Sequence, residues 1–135
     1  MAWIEPKTNW VATDYFNAED YNRILGNLVF LKEFSRSLFK SFEMLDMGEE
    51  KTYTDFIYSR EINAMEDNLE TINLKTYAMN IGEKVVYKDN GNTPLYSELN
   101  RMELAMLRIF AELQTHKANL PKLAITLGGQ KGIRV

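Results

Sequence analysis

The residues in this chain that could do chemistry are few. A single histidine, His116, stands in "LQTHKANLP" near the expected end of a helix. An imidazole can act as a general base, but a hydrolytic triad needs a nucleophile and an acid arranged around it, and neither stands near His116 at a telling spacing. A cationic side chain suits a helix C-terminus, so His116 is read as structural. Glu66, Asp67 and Glu70 gather three carboxylates, a set that could do acid–base work or bind calcium. The alternating oxygen ligands of a calcium loop are missing, and Glu70 lies one helical turn from Glu66, so a solvated helix face is expected. The glycines of "GNTP" and "LGGQKG" do not match a phosphate-binding loop, because Lys131 follows the last apolar stretch instead of opening a helix. With zero cysteines there is no disulfide, thiolate nucleophile or thiolate zinc site. The expectation is a protein with no catalytic residue, cofactor or metal, and not an enzyme.

Composition narrows the partners. The 135 residues carry 16 Lys and Arg against 19 Asp and Glu, a net charge of −3. The basic residues are scattered, which argues against a nucleic-acid footprint. No run approaches the roughly 18 apolar residues that span a bilayer, and "MAWIEPKTNWVATDYF" lacks the pattern of a secretion signal, so no membrane partner is expected.

The elements that would position any surface follow from periodicity. Residues 1–16 are rich in aromatics without helical period and read as an extended arm. Asn17 is a good N-cap with Asp20 as its box partner, so a helix is expected from 18 to about 42, carrying Tyr21, Ile24, Leu28, Leu31, Leu38 and Phe39 on one stripe. A second helix is expected to open near Ser59, with Ile62, Met65, Leu69, Ile72 and Tyr77. "KVVYK" followed by "DNGN" suggests a short β-hairpin near 84–93. Thr93-Pro94 or Ser97 would start a third helix, running to about His116. Pro121 and the glycines predict an extended tail over 121–135. The fold class expected is therefore mainly α: one domain over 1–135, made of an arm (1–16), a compact three-helix bundle (17–120) and a tail (121–135).

The three helices repeat one phrase. "DYNRILGNLVFL" (20–31), "EINAMEDNLETI" (61–72) and "ELNRMELAMLRI" (98–109) keep an acid, an apolar residue and an asparagine at the head. The first two copies extend upstream, where "KTNWVATDYF" (7–16) parallels "KTYTDFI" (51–57), about 41 residues apart. On a helical wheel Asn22, Asn63 and Asn100 fall beside the apolar stripe, and Asn27 and Asn68 on its other edge, where the third copy has Ala105. Asparagine is a poor helix former, so either it is tolerated in a first turn or it hydrogen-bonds a neighbouring segment; its return at one register favours the second reading. Arg23 becomes Ala64 in the second copy and returns as Arg101.

The run "NWVATDYFNAEDYNRILGNLVFLK" resembles the opening of small minor structural proteins encoded among the tail genes of phages and prophages of Gram-positive bacteria. That family's "FNAxDxNRIxxNxxYL" is met here by Phe16, Asn17, Ala18, Asp20, Asn22, Arg23, Ile24, Asn27 and Leu31, with Phe30 where Tyr is common. "YSREINAMEDNLETI" and "LGGQKGIRV" look like later parts of the same family, and 83–93 departs from it. The resemblance implies a virion component of the tail tip or baseplate, made in the host cytoplasm, without enzymatic activity, forming a homo-oligomer and contacting other tail proteins. Candidate assembly contacts lie at the two ends: Trp3, Trp10 and Tyr15 in the arm, and Leu123, Ile125, Leu127 and Ile133 in the tail. Two rivals are a host-recognition or fibre-adaptor module binding cell-surface carbohydrate, and a tail-assembly chaperone absent from the virion.

Overall fold

The computed structural model describes residues 2–88 and 94–129, with side chains to Leu120. It is mainly helical: α1 (Ala18–Ser35), α2 (Ser59–Lys75) and α3 (Tyr96–Gly129), with no strand among the described residues. The start of α1 follows from its capping box. The Asn17 side chain accepts the Asp20 N–H at 3.2 Å, and the Asp20 carboxylate accepts the Asn17 N–H at 3.1 Å. At α2 the Glu61 carboxylate accepts the Tyr58 N–H at 2.9 Å in the same way. At α3 the Leu95 carbonyl accepts the first N–H groups, from Glu98 and Leu99, so Pro94 precedes the helix instead of opening it.

The apolar stripes meet in one core. Tyr21, Ile24, Leu28 and Leu31 of α1, Met65, Leu69 and Ile72 of α2, and Met102, Met106, Ile109 and Leu113 of α3 are all fully buried. Contacts along the bundle fix the helix directions. Arg23 early in α1 pairs with Glu103 early in α3, and Arg101 pairs with Glu66 early in α2. Further along, Phe34 of α1 meets Phe110 of α3 at 6.0 Å, and Tyr77, just past α2, bonds the Glu112 carbonyl. Early residues face early residues throughout, so the three helices are parallel. Each long connection must then run back beside the helices to reach the next start.

Several expectations are corrected. Helix α1 ends at Ser35, not near 42, because Phe39 turns out of the stripe to pack edge-on against Tyr77 at 5.3 Å. Helix α2 ends at Lys75, leaving Tyr77 in the turn. Residues 84–88 form no strand; their backbone is held by helix side chains, and 89–93, the rest of the expected hairpin, lie outside the described residues. Helix α3 continues past His116 and through Pro121 to Gly129, so the tail is not extended from residue 121. Proline removes one N–H and disturbs the carbonyl one turn back, a local cost that the helix-forming residues on either side outweigh.

Two described glycines have positive φ, Gly48 and Gly82, and Gly48 is the more closely surrounded. Gly48 has φ +84°, and a Cβ there would overlap the Glu61 Oε2 and stand 3.0 Å from the Tyr21 hydroxyl. The connection therefore passes Tyr21 closely enough for its hydroxyl to donate to the Met47 carbonyl.

Candidate functional site

The recurring asparagines hold the connections. Asn22 of α1 donates from Nδ2 to the Lys51 carbonyl and accepts the Lys51 N–H at Oδ1, both at 2.7 Å. Asn63 of α2 does the same with Tyr87, both at 2.7 Å. Asn100 of α3 does it with Trp10, at 3.0 and 2.8 Å. A primary amide offers one donor edge and one acceptor, the complement of the N–H and C=O of an extended residue; aspartate has no such donor.

A second set repeats on the opposite edge. Asn27 grips Ile4 at 2.7 and 2.9 Å, and Asn68 grips Leu45 at 2.8 Å in both bonds. The gripped residues lie six positions apart in each connection, 4 to 10 and 45 to 51. Six extended residues reach roughly 20 Å, enough to cross from a segment's own helix to its neighbour. The order is cyclic: the segment before α1 reaches α3, the one before α2 reaches α1, and the one before α3 reaches α2. The repeated phrase is thus an approximate threefold rotation written along one chain. Ala105 breaks the second set in the third copy. There Asn73 grips Met79 instead, at 2.7 and 3.0 Å, and Arg108 donates to the Asn80 carbonyl at 2.8 Å.

Charges follow the same rotation. Glu103, fully buried, accepts from Arg23 Nε at 2.7 Å, Arg23 Nη2 at 2.8 Å, Trp10 Nε1 at 2.6 Å and the Lys7 N–H at 3.0 Å. Burial opposes the charge on Arg23, but its bonds to Glu103 and Asp20 outweigh that and raise its pKa. At the next interface Arg101 donates to Glu66 and, at 2.8 Å, to Glu98. At the third, the matching positions hold Ala64 and Leu25, both buried.

Glu66 corrects the expectation of a solvated carboxylate face: it is 1% exposed, while Asp67 and Glu70 stay half-exposed and share Lys84. Burial pushes the Glu66 carboxyl above its ordinary value, although Arg101 pulls the other way. Its Oε1 and the Tyr87 hydroxyl are both buried without a hydrogen-bond partner among the described residues, and burial together with Glu66 pushes the Tyr87 phenol up to about 12. Among the described residues no His, Asp and Glu group of three or more could hold a metal ion. His116 lies against Phe39 at 5.4 Å, with Nδ1 3.1 Å from the Tyr77 hydroxyl, a packing role.

The candidate contacts at the ends divide. Trp10 is 3% exposed and closes the bundle, so it is not available as a surface anchor. Trp3 is half-buried, stacked on Phe110 at 4.1 Å. Tyr15 is 86% exposed, and its repeat counterpart Phe56 is 70% exposed. Each follows the same turn, in which Asp14 caps the Val11 N–H at 2.9 Å and Asp55 the Thr52 N–H at 2.7 Å. With Tyr53 they put exposed rings at the helix-start end. Leu123, Ile125 and Leu127 fall within α3, and Ile133 lies outside the described residues. A groove of about 690 Å³ opens on α1 between Ile4 and Tyr53, where Gly26 stands in place of the Asp67 and Leu104 of the other copies.

Sequence reasoning missed the Arg and Glu pairs; Glu66 and Glu103 do share one position in the repeat, which is the signal that marks them. No helix among the described residues is long and apolar enough to cross a membrane. No family model, curated protein or solved structure matches the chain.

Proposed function

We propose that this protein is a non-enzymatic structural subunit of a phage virion, a tail-tip or baseplate component made in the host cytoplasm and assembling with other tail proteins and with copies of itself. One observation carries the reading. Asn17, Asp20, Asn22, Arg23 and Asn27, the polar residues of the motif that resembles minor tail proteins, all bond within the chain's own framework. The motif therefore supports a shared way of building the fold, and partners would meet the two ends. Exposed Tyr15, Tyr53 and Phe56 at the helix-start end and the long α3 at the other favour such contacts. A helical α3 end does not favour strand addition to a partner's sheet.

The exposed Tyr53 and Phe56 rings also favour a second reading, a fibre-adaptor module that stacks on cell-surface carbohydrate. Mass spectrometry of purified particles, with copy number, tests the first: the protein should be present in fixed stoichiometry. Absence from particles despite abundance in producing cells would select an assembly chaperone. Sugar-blocked binding of the purified protein to host cells would select the adaptor.

A further inference from the structure

Glu103 and Glu66 share one position of the repeat, and the rotation that relates them also relates Arg23 to Arg101 and Trp10 to Tyr87. The two carboxylates are satisfied unequally. Glu103 accepts four hydrogen bonds: two from Arg23, one from the Trp10 indole N–H at 2.6 Å and one from the Lys7 N–H at 3.0 Å. Among the described residues Glu66 accepts only from Arg101 and from the Val85 N–H at 3.4 Å, both at Oε2. Two differences account for this. Arg101 gives its Nε–H to Glu98 at 2.8 Å, so one arm of its fork is left for Glu66, where Arg23 gives two to Glu103. Tyr87 stands in the register of Trp10, but a phenol carries its donor at the tip of the ring and an indole on the edge.

Glu66 Oε1 and the Tyr87 hydroxyl are thus left without a partner among the described residues, although both are buried, Glu66 to 1% exposure. They are neighbours, because the charges of Glu66, Glu98 and Arg101 all act on the Tyr87 phenol. Buried polar groups are paired with protein or with ordered water, since an unpaired one keeps the full cost of its desolvation. A cavity of about 170 Å³ adjoins the carboxylate, lined by Glu66, Asn80, Lys84 and Arg101 among others, against the about 10–15 Å³ that one water needs.

We propose that Glu66 and Tyr87 form a binding site for an ordered water molecule, which donates to Glu66 Oε1 and accepts from the Tyr87 hydroxyl. The two groups are an acceptor and a donor, and water is the smallest molecule that complements both. The cavity has room for the further waters that take its second hydrogen. The bound water does at this interface what the Trp10 indole N–H does at Glu103: it ties the segment before α3 to a buried carboxylate of the next helix. The site belongs to the folded chain and does not depend on the virion reading.

Crystal structures of the full chain and of Tyr87→Phe and Tyr87→Trp, at a resolution that shows ordered water, test it together with denaturant titrations of the same proteins. The wild type should show a water about 2.5–3.0 Å from both Glu66 Oε1 and the Tyr87 hydroxyl. Tyr87→Phe keeps the ring but removes one of the two partners, and should lose the water and unfold at lower denaturant. Tyr87→Trp supplies the indole N–H found at Glu103, and should displace the water with a midpoint no lower than that of the wild type. A wild-type Tyr87 hydroxyl bonded directly to Glu66 or to a residue of 89–93 would overturn the proposal, as would no water at the two groups. So would a water that stays in place in Tyr87→Phe at unchanged stability, or in a folded Tyr87→Trp.

Discussion

Asn100 of α3 and Trp10 of the N-terminal segment, 90 positions apart in sequence, exchange two hydrogen bonds through one side-chain amide and one peptide unit. This pair closes a ring. Asn22 binds the segment before α2 and Asn63 the segment before α3, so Asn100 must reach back to the segment before α1 for the rotation to be complete. The N-terminal segment and the last helix are thereby joined.

Replacing any of these three asparagines with alanine removes both bonds and leaves an extended N–H and C=O without partners. Asn22→Ala, Asn63→Ala and Asn100→Ala should each destabilise the fold by about 1–3 kcal/mol in denaturant titrations. Asn100→Asp should not rescue, since it keeps the acceptor but places a carboxylate against the Trp10 carbonyl. Wild-type stability in the alanine variants would mean that the pairs hold nothing.

The Arg101 and Glu66 pair should obey the rotation too. Arg101→Ala leaves a carboxylate that is 1% exposed with, among the described residues, one long bond, from the Val85 N–H at 3.4 Å, and should cost about 3–5 kcal/mol. Adding Glu66→Leu recreates the Ala64 and Leu25 arrangement of the third interface and should recover most of the loss. A double variant as unstable as Arg101→Ala alone would contradict the equivalence of the interfaces.

Ala105 marks the one missing grip. Gly82 passes Arg101 and the Asn80 carbonyl bonds Arg108, which brackets residue 81 opposite residue 105. Ala105→Asn should bind the Ile81 peptide unit and stabilise the protein by about 1 kcal/mol, seen as a higher Tm. A fall in Tm would show that this stretch does not follow the other two copies.

Glu66 also sets a pH dependence. Burial raises its pKa above the ordinary 4.5 and Arg101 does not cancel the shift, so above that pH the folded chain holds a proton the unfolded chain has released. Its contribution to stability is present at lower pH and is lost as pH rises through the folded value. Asp14 and Asp55 act oppositely: backbone N–H bonds from Val11 and Thr52 lower their pKa, so their contribution is lost on acidification. Thermal melts from pH 4.5 towards neutral should show Glu66→Gln gaining stability relative to the wild type. Parallel curves would contradict the assignment.

Much of this was legible in the sequence where the cause is local. Asn17 with Asp20 marked the start of α1, and the apolar stripe marked the core of all three helices, because capping and 3.6-residue periodicity act within a few residues. What depends on distant partners was not. Parallel directions leave no trace in a single helix, Glu66 reads as solvated until Arg101 is placed 35 positions away, and Phe39 continues the α1 stripe although Tyr77 and His116 draw it out of the helix. At Pro121 a local rule suggested an end that the helix passes. The repeat bridged part of this gap, because residues recurring at one register answer to the same neighbour.

Hydrogen exchange at three backbone amides tests the cyclic arrangement most directly. The N–H groups of Lys51, Tyr87 and Trp10 lie outside any helix, yet each donates to an asparagine Oδ1, so all three should be protected in the wild type. Protection should vanish first at Lys51 in Asn22→Ala, at Tyr87 in Asn63→Ala and at Trp10 in Asn100→Ala. Unprotected exchange at these amides in the wild type, or loss of protection that ignores which asparagine is removed, would contradict it.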